Sequence, residues 1–432
     1  MTISSLLLSI LLALSPPASD YEKDVAFALE TLEKKCGHFF QLKRIDWKAV
    51  AREFKKEAKS VKDVEDHFRL LIRLLARLKD GHAEVRPLDK AKGVRPPEEF
   101  RERRESPGMF WCRIGKDTFV KTVFGSAASS NVKPGQKILK VDGKPTDRWV
   151  EERVAELSDL RSFSTDQQAL FAALHWGLSD APGKRMKLDL EGVDGKKTSR
   201  TVACDRGGPA IFGPAFPPAG LVTGGDLSHA KTKSGFGYVH LRRCPGDLPE
   251  RMDEILEALG EVPGLILDFR GNGGGGFDHD ALVGRFVPEG KSMSFGKTYR
   301  SAGPRPYGGP VVVIVNATVV SAGETASGSF KEDGRAYMIG ESPTAGMSSS
   351  KETIELPSGL FALYVSVASN KGRFNDGRGI EGIGVVPHEI VEFDPRDLDA
   401  GRDTLIERAE AILRDFPAAI VPYEPKAFGW DG

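Results

Sequence analysis

The sequence predicts a multidomain protein of mixed α+β and α/β class, on three observations. Residues 20–78 carry helical periodicity, the stretch after residue 108 alternates short strands with turn signals, and from about residue 236 apolar strands alternate with helices. At 432 residues the chain exceeds one ordinary domain, and roughly 100–200 residues per domain implies two to four.

The opening, "MTISSLLLSILLALSPPASD", has an apolar run from Leu6 to Leu14, then Pro-Pro and small residues. It reads as a secretory signal peptide over residues 1–19, or else as a membrane-anchoring or buried N-terminal segment. It is shorter than the ~18 apolar residues a transmembrane helix needs, and no other stretch approaches that length. Export to a periplasmic or extracellular location is the expectation. In "DVAFALETLEKKCGHFF" and "VEDHFRLLIRLLARL" apolar residues recur at helical spacing, with Gly37 and Gly81 as stops, so residues 20–95 form a helical domain. Proline and charge between Pro87 and Pro107 mark a linker or surface loop. The strands "FVKTV" and "KILKV" lie between turn signals, a helix follows, and "KRMKLDLEGVDGKKTSRTVACDR" hinges on Asp-Gly, giving a β-module over residues 106–206. Beyond "RGGPAIFGPAFPPAG", near-continuous apolar strands such as "GLILDF" and "PVVVIV" alternate with helices. They imply a sheet buried on both faces within residues 207–395. "KETIELPSGLFALYVSV" reads as a hairpin, and "LIERAEAILRDF" as a helix in a tail over residues 396–432.

Lys plus Arg equals Asp plus Glu at 61 each, so no global field draws nucleic acid or an anionic membrane to the chain. Cys36, Cys112, Cys204 and Cys244 are far apart and lack CxxC spacing, which excludes zinc-ribbon and thioredoxin-type readings. They are buried small hydrophobes or, in an exported chain, one or two disulfides. No metal or cofactor is expected.

Three stretches could carry chemistry. "GLILDFRGNGGGG" runs from a strand into glycines whose N–H groups can approach an anion, as a phosphate loop or as an oxyanion hole. No Gly-Lys-Ser/Thr follows, which disfavours nucleotide binding. In "VVVIVNATVVSAGETASGSF", Ser321 sits between a strand and a helix, where it is either a helix N-cap or a nucleophile with the Ala322 N–H open beside it. In "RLKDGHAEVRP", His82 lies on a loop before a short strand, either an ordinary surface histidine or a functional one.

Two resemblances join these stretches. "GSAASSNVKPGQKILKVDGKP" resembles the central motif of a PDZ domain. That implies capture of a partner's C-terminus at a sheet edge, with the carboxylate-binding loop at Gly108, Met109, Phe110 and Trp111; the alternative is a module that only covers the cleft. The ordered set "LKDGH", the PDZ-like module, "LILDFRGNGGG", "VVVIVNATVVSAGETASGSF", "IGESPTAG", "LPSG" and "GIEGIGVVPH" resembles the S41 peptidases. This resemblance implies a crotonase-like α/β core and a serine endopeptidase acting on polypeptides. It matches Ser321 to the nucleophile, and Ala322 and Gly274 to the oxyanion hole. One branch of the family activates its serine with a lysine, whose place here holds Met347, leaving Lys351 as a distant substitute. The tricorn-like branch uses a histidine and a glutamate, matched by His82 and Glu381. Gly81 stands where tricorn protease has a second serine, and His388 where the family has an aspartate. A binding protein on the same scaffold that has lost proteolysis is the second reading.

Overall fold

The structure, a computed structural model, describes residues 19–95, 104–205, 213–295 and 297–416. Nearly all of the expected leader, part of the expected linker and the end of the tail lie outside them.

Three helices come first: α1 (Asp20–Cys36), α2 (Trp47–Ala58) and α3 (Val64–Ala76). Ser19, Asp46 and Asp63 cap them through side-chain oxygens, and apolar stripes such as Val25, Leu29 and Leu32 face inward. α3 stops at Ala76, ahead of the expected stop at Gly81. The chain turns through Lys79, at φ 50°, and leaves Asp80 to His82 on a loop before β1 (Glu84–Pro87).

The β-module follows as β2 (Met109–Ile114), β3 (Asp117–Val123), α4 (Gly125–Ser129), β4 (Lys137–Val141), β5 (Lys144–Pro145), α5 (Thr146–Leu160), α6 (Asp166–Leu174), β6 (Arg185–Glu191) and β7 (Lys197–Ala203). Its antiparallel sheet has the order β2-β3-β4-β6-β7, with β5 paired to β4. The Asp194-Gly195 turn joins β6 to β7, with Gly195 at φ 78°.

The α/β core contains β8 (Val222–Gly224), β9 (Leu227–Lys231), β10 (Gly237–Leu241), α7 (Leu248–Leu259), β11 (Leu265–Asp268), α8 (His279–Gly284), β12 (Ser292–Phe295), β13 (Lys297–Arg300), β14 (Val311–Val315), α9 (Ala322–Glu332) and β15 (Tyr337–Gly340). After the hairpin β16 (Ser350–Glu355) and β17 (Phe361–Ala368) come β18 (Glu389–Ile390), α10 (Pro395–Asp399) and α11 (Thr404–Arg414). Seven strands make one sheet, β18-β15-β14-β11-β10-β9-β8, parallel from β10 to β18. Strand alternation splits its side chains between two cores: Val311, Val313 and Val315 pack with α7, α8 and α9, whereas Val312 and Ile314 pack under α10 and α11.

Three expectations are corrected. The β16–β17 hairpin does not belong with the core around it in sequence. It pairs with β1 in the order β1-β17-β16, and Ile354, Leu363 and Val365 cover an apolar face that α1, α2 and α3 cannot bury among themselves. The tail helix is likewise no appendage, because Leu405, Ile406 and Ala409 close the second face of the large sheet. All four cysteines are free and buried, and Cys36, Cys112 and Cys244 sit in three separate cores, which removes the disulfide alternative. Among the described residues no helix is long and apolar enough to cross a membrane.

Candidate active site

Ser321 lies just past the C-terminal end of β14, a central strand, and immediately before α9. Its backbone, at φ 54° and ψ −125°, is in a region that costs a non-glycine residue about 1–3 kcal/mol. The surroundings impose it. Val320 N–H donates to the Asn272 carbonyl (3.1 Å), Ser321 N–H donates to Glu324 Oε2 (3.2 Å), and Glu324 N–H returns to the Ser321 carbonyl (3.0 Å). The helix-cap bonds and the strained turn therefore coexist. Ala322 N–H donates to no group among the described residues. Gly274, at φ 76°, presses against this turn, and a Cβ on it would lie 2.8 Å from Ser321 Cβ. Its N–H is engaged, donating to Asn272 Oδ1 at 2.9 Å.

Glu324 ties the serine to the next loop. Its buried carboxylate also accepts Thr344 Oγ1 (2.6 Å), Gly346 N–H (2.7 Å) and Met347 N–H (2.9 Å). Burial pushes its pKa up to about 8, against the pull of those donors.

The second half of the site gathers around Glu381. Lys43 Nζ donates to Glu381 Oε1 at 2.6 Å and to the Lys79 carbonyl at 2.8 Å, with both ionic side chains buried. Ser164 Oγ reaches the same Oε1 at 3.4 Å and accepts Gly81 N–H at 2.8 Å. Asp80 accepts His82 N–H (3.0 Å), Ser366 N–H (2.7 Å) and Ser366 Oγ (2.9 Å), and Ser349 Oγ donates to Ser366 Oγ (2.6 Å). One ligand atom each from Asp80, His82 and Glu381 lie within 4.8 Å of one another. A divalent cation there would have to displace Lys43 from Glu381 and several donors from Asp80, so the trio reads as a hydrogen-bonded cluster. His82 Nδ1 and Glu381 Oε2 are buried in it without a partner. Burial, then the nearby Lys351 ammonium, push the His82 pKa down to about 4. Burial raises the pKa of Glu381 against the pull of Lys43.

Lys43, Asp80, Ser164, Ser349 and Glu324 were not singled out by sequence. Lys43, Ser164 and Ser349 are common residues at no distinctive spacing that only the fold brings to the site, whereas Asp80 lies two residues before His82 and Glu324 stands at the capping-box spacing from Ser321, a signal that could have found them. No hydrogen bond joins Ser321 to His82 among the described residues. Lys351, on β16, stands near His82 because the hairpin pairs with β1. Met347 and Gly81, two departures from the family pattern, touch: a Cβ on Gly81 would lie 2.8 Å from Met347 Sδ. His388 has a structural part, its Nδ1 accepting Met338 N–H at 2.9 Å while its ring stacks on Tyr337. The segment expected as a carboxylate-binding loop is instead mostly strand. Met109, Phe110 and Trp111 belong to β2 and are buried, Met109 and Trp111 in the module's core and Phe110 against Phe124 and His175, and Gly108 turns at φ 79° just before them.

The model for peptidase family S41 matches residues 235–391, which include Gly274, Ser321, Ala322, Lys351 and Glu381. The chloroplastic C-terminal processing peptidase of Tetradesmus obliquus is 27% identical over 298 residues, covering 66% of this chain and 58% of its own length. Tricorn protease homolog 1 of Streptomyces coelicolor is 28% identical over 210 residues, covering 46% of this chain and 19% of its own. The chain thus spans about half the length, or less, of the curated relatives it matches. The crystal structure of mature CPAF superposes with a TM-score of 0.66 at 14% identity, covering 93% of this chain and 97% of that one. At that identity the likeness shows the fold, a mixed α+β multidomain architecture.

Proposed function

We propose that this chain, whose residues 235–391 form a peptidase family S41 domain, is a serine endopeptidase that hydrolyses polypeptides. The observation that carries the reading is Ser321, held in a strained strand-to-helix turn beside the unoccupied Ala322 N–H, within the matched segment. Ser321 Oγ attacks the scissile carbonyl carbon as His82 takes its proton. The tetrahedral oxyanion is held by Ala322 N–H, and by Gly274 N–H once it leaves Asn272 Oδ1. His82 then protonates the departing amine, and a water molecule, deprotonated by His82, releases the acyl group. Glu381 orients His82, since its unpaired Oε2 and the unpaired His82 Nδ1 are complementary acceptor and donor. The enzyme is exported. Its PDZ-like module offers the outer edge of β2 to an extended C-terminus, since β2 is a terminal strand of its sheet.

The missing Ser321–His82 hydrogen bond favours one alternative, a polypeptide-binding protein without proteolysis. A fluorophosphonate probe separates the two. Wild type labels and cleaves peptides, Ser321→Ala does neither, and His82→Ala falls by at least ~100-fold. No labelling of wild type, or labelling that survives Ser321→Ala, refutes the protease reading.

A further inference from the structure

The relay between His82 and Glu381 lacks a side chain at Gly81, and the space beside that glycine is taken. A Cβ there would lie 2.8 Å from Met347 Sδ and 3.3 Å from the Gln168 amide. A hydroxyl nonetheless reaches this point from another part of the chain. Ser164, on the segment between α5 and α6 of the β-module, is buried; it accepts Gly81 N–H at 2.8 Å and reaches Glu381 Oε1 at 3.4 Å.

We propose that Ser164 is a positioning residue for His82 and Glu381, contributed to the active site by the β-module. The proposal rests on the protease reading above. A hydroxyl has one proton to donate and two lone pairs to accept with, and both functions are in use here. As acceptor, Ser164 pins the peptide N–H one residue before His82. As donor, it joins Lys43 on Glu381 Oε1, which leaves Oε2 for the imidazole.

The surrounding contacts hold the hydroxyl in place. Ser164 N–H donates to Gln168 Oε1 (2.7 Å), and Gln168 Nε2 reaches Met347 Sδ (3.1 Å). Thr165 Oγ1 donates to the Ala345 carbonyl (2.8 Å), and Gln167 Nε2 bridges the carbonyls of Thr344 (3.1 Å) and Ile383 (3.0 Å). This one segment therefore grips both the loop tied to Glu324 and the loop that carries Glu381. Movement of the module away from the core withdraws the Ser164 hydroxyl from the relay.

The test compares wild type, Ser164→Ala, Ser164→Thr and Gln167→Ala by fluorophosphonate labelling rate and by kcat and KM across pH. Ser164→Ala lowers the labelling rate and kcat at neutral pH by roughly ten-fold, as for a lost hydrogen bond to a charged group, with KM little changed. It also moves the acid limb of the pH profile upward, because Glu381 loses a donor that favours its charged form. Ser164→Thr, which keeps the hydroxyl, recovers most of the rate. Gln167→Ala, which removes one of several contacts on the same segment and keeps the hydroxyl, shifts the acid limb less than Ser164→Ala does. Ser164→Ala matching wild type in rate and pH profile, while Ser321→Ala blocks labelling, overturns this proposal and leaves the protease reading standing. So does a threonine variant roughly ten-fold slower than wild type with an unshifted profile, a comparison that also decides the matter should the alanine variant fail to fold. A wild type that does not label removes both.

Discussion

His82, the base in the proposed mechanism, has a charged form penalised twice, first by burial and then by the Lys351 ammonium, so it stays neutral down to about pH 4. A free imidazole would already be half protonated near pH 6.5. Activity carried by His82 therefore persists into mild acid, until His82 or the buried Glu381 carboxylate takes up a proton. Lys351→Met removes the repelling cation, so the His82 pKa rises and the acid limb moves toward 6.5, with the rate at neutral pH within a few-fold of wild type. The check is kcat/KM against pH for both proteins. A Lys351→Met protein dead at every pH would make Lys351 the base instead. The nearness of the lysine to the histidine is spatial: it follows from the pairing of β16 with β17 and of β17 with β1. At this scale the setting of Ser321 was legible in the sequence because strand, turn, serine and helix are contiguous there. The groups gathered around His82 and Glu381 were not. Lys43 and Glu381 meet across 338 residues and Ser164 and Glu381 across 217, with no local pattern to announce either contact.

The glycine loop works as an element only if its root is rigid, and Arg270 makes it so. This fully buried guanidinium bonds Asp268 Oδ1 (2.9 Å) and Oδ2 (2.6 Å) at the end of β11 and both oxygens of Asp403 (3.0 Å each) ahead of α11. Tyr238 OH adds a donor to Asp268 (2.9 Å). A buried pair of this kind gives little net stability relative to an apolar substitute, yet breaking it strands uncompensated charge. Arg270→Ala should accordingly lower unfolding free energy by about 3–5 kcal/mol, read from urea denaturation, since it leaves two buried carboxylates unpaired. A loss under about 1 kcal/mol would show that the site relaxes or hydrates freely. The four central strands of the large sheet, β10, β11, β14 and β15, were legible from their apolar runs and the longer amphipathic helices from their period, whereas β8, β9 and β18 carry no such run. Where each element packs was not legible. The hairpin looked like part of the core because it follows β15, but the strand it joins is β1, with Tyr364 opposite Glu84. An amphipathic pattern such as that of α11 says which face is buried and nothing about what buries it.

At the scale of the whole molecule, the candidate site draws Lys43 and His82 from the helical domain, Ser164 from the module, Lys351 from the hairpin, and Ser321 and Glu381 from the core. What holds these parts together decides how the site responds to its medium. Apolar packing of Cys112, Ile114 and Phe119 and the pair of buried Lys121 with Glu341 fasten one side of the module to the core, and two further kinds of contact join it through α5 and the segment after it. On the outside, Arg73 of α3 and Arg77 at its C-cap pair with Asp159 of α5 at 3.1 and 2.8 Å, and Asp159 remains 41% exposed. Pairs this open are worth about 0–1 kcal/mol and are screened by salt. On the inside, the Ser164–Gln168 segment makes its buried hydrogen bonds to the 344–347 and 381–383 loops, where mobile ions do not reach. If the inner contacts dominate, raising salt from about 0.1 M to about 1 M, which shortens the screening length from about 10 Å to about 3 Å, leaves the labelling rate of Ser321 within about two-fold. Asp159→Ala does the same at low salt. A several-fold fall in rate with salt, reproduced by Asp159→Ala, would instead assign the module's attachment to the outer ion pairs and make the relay an ionic-strength-dependent one.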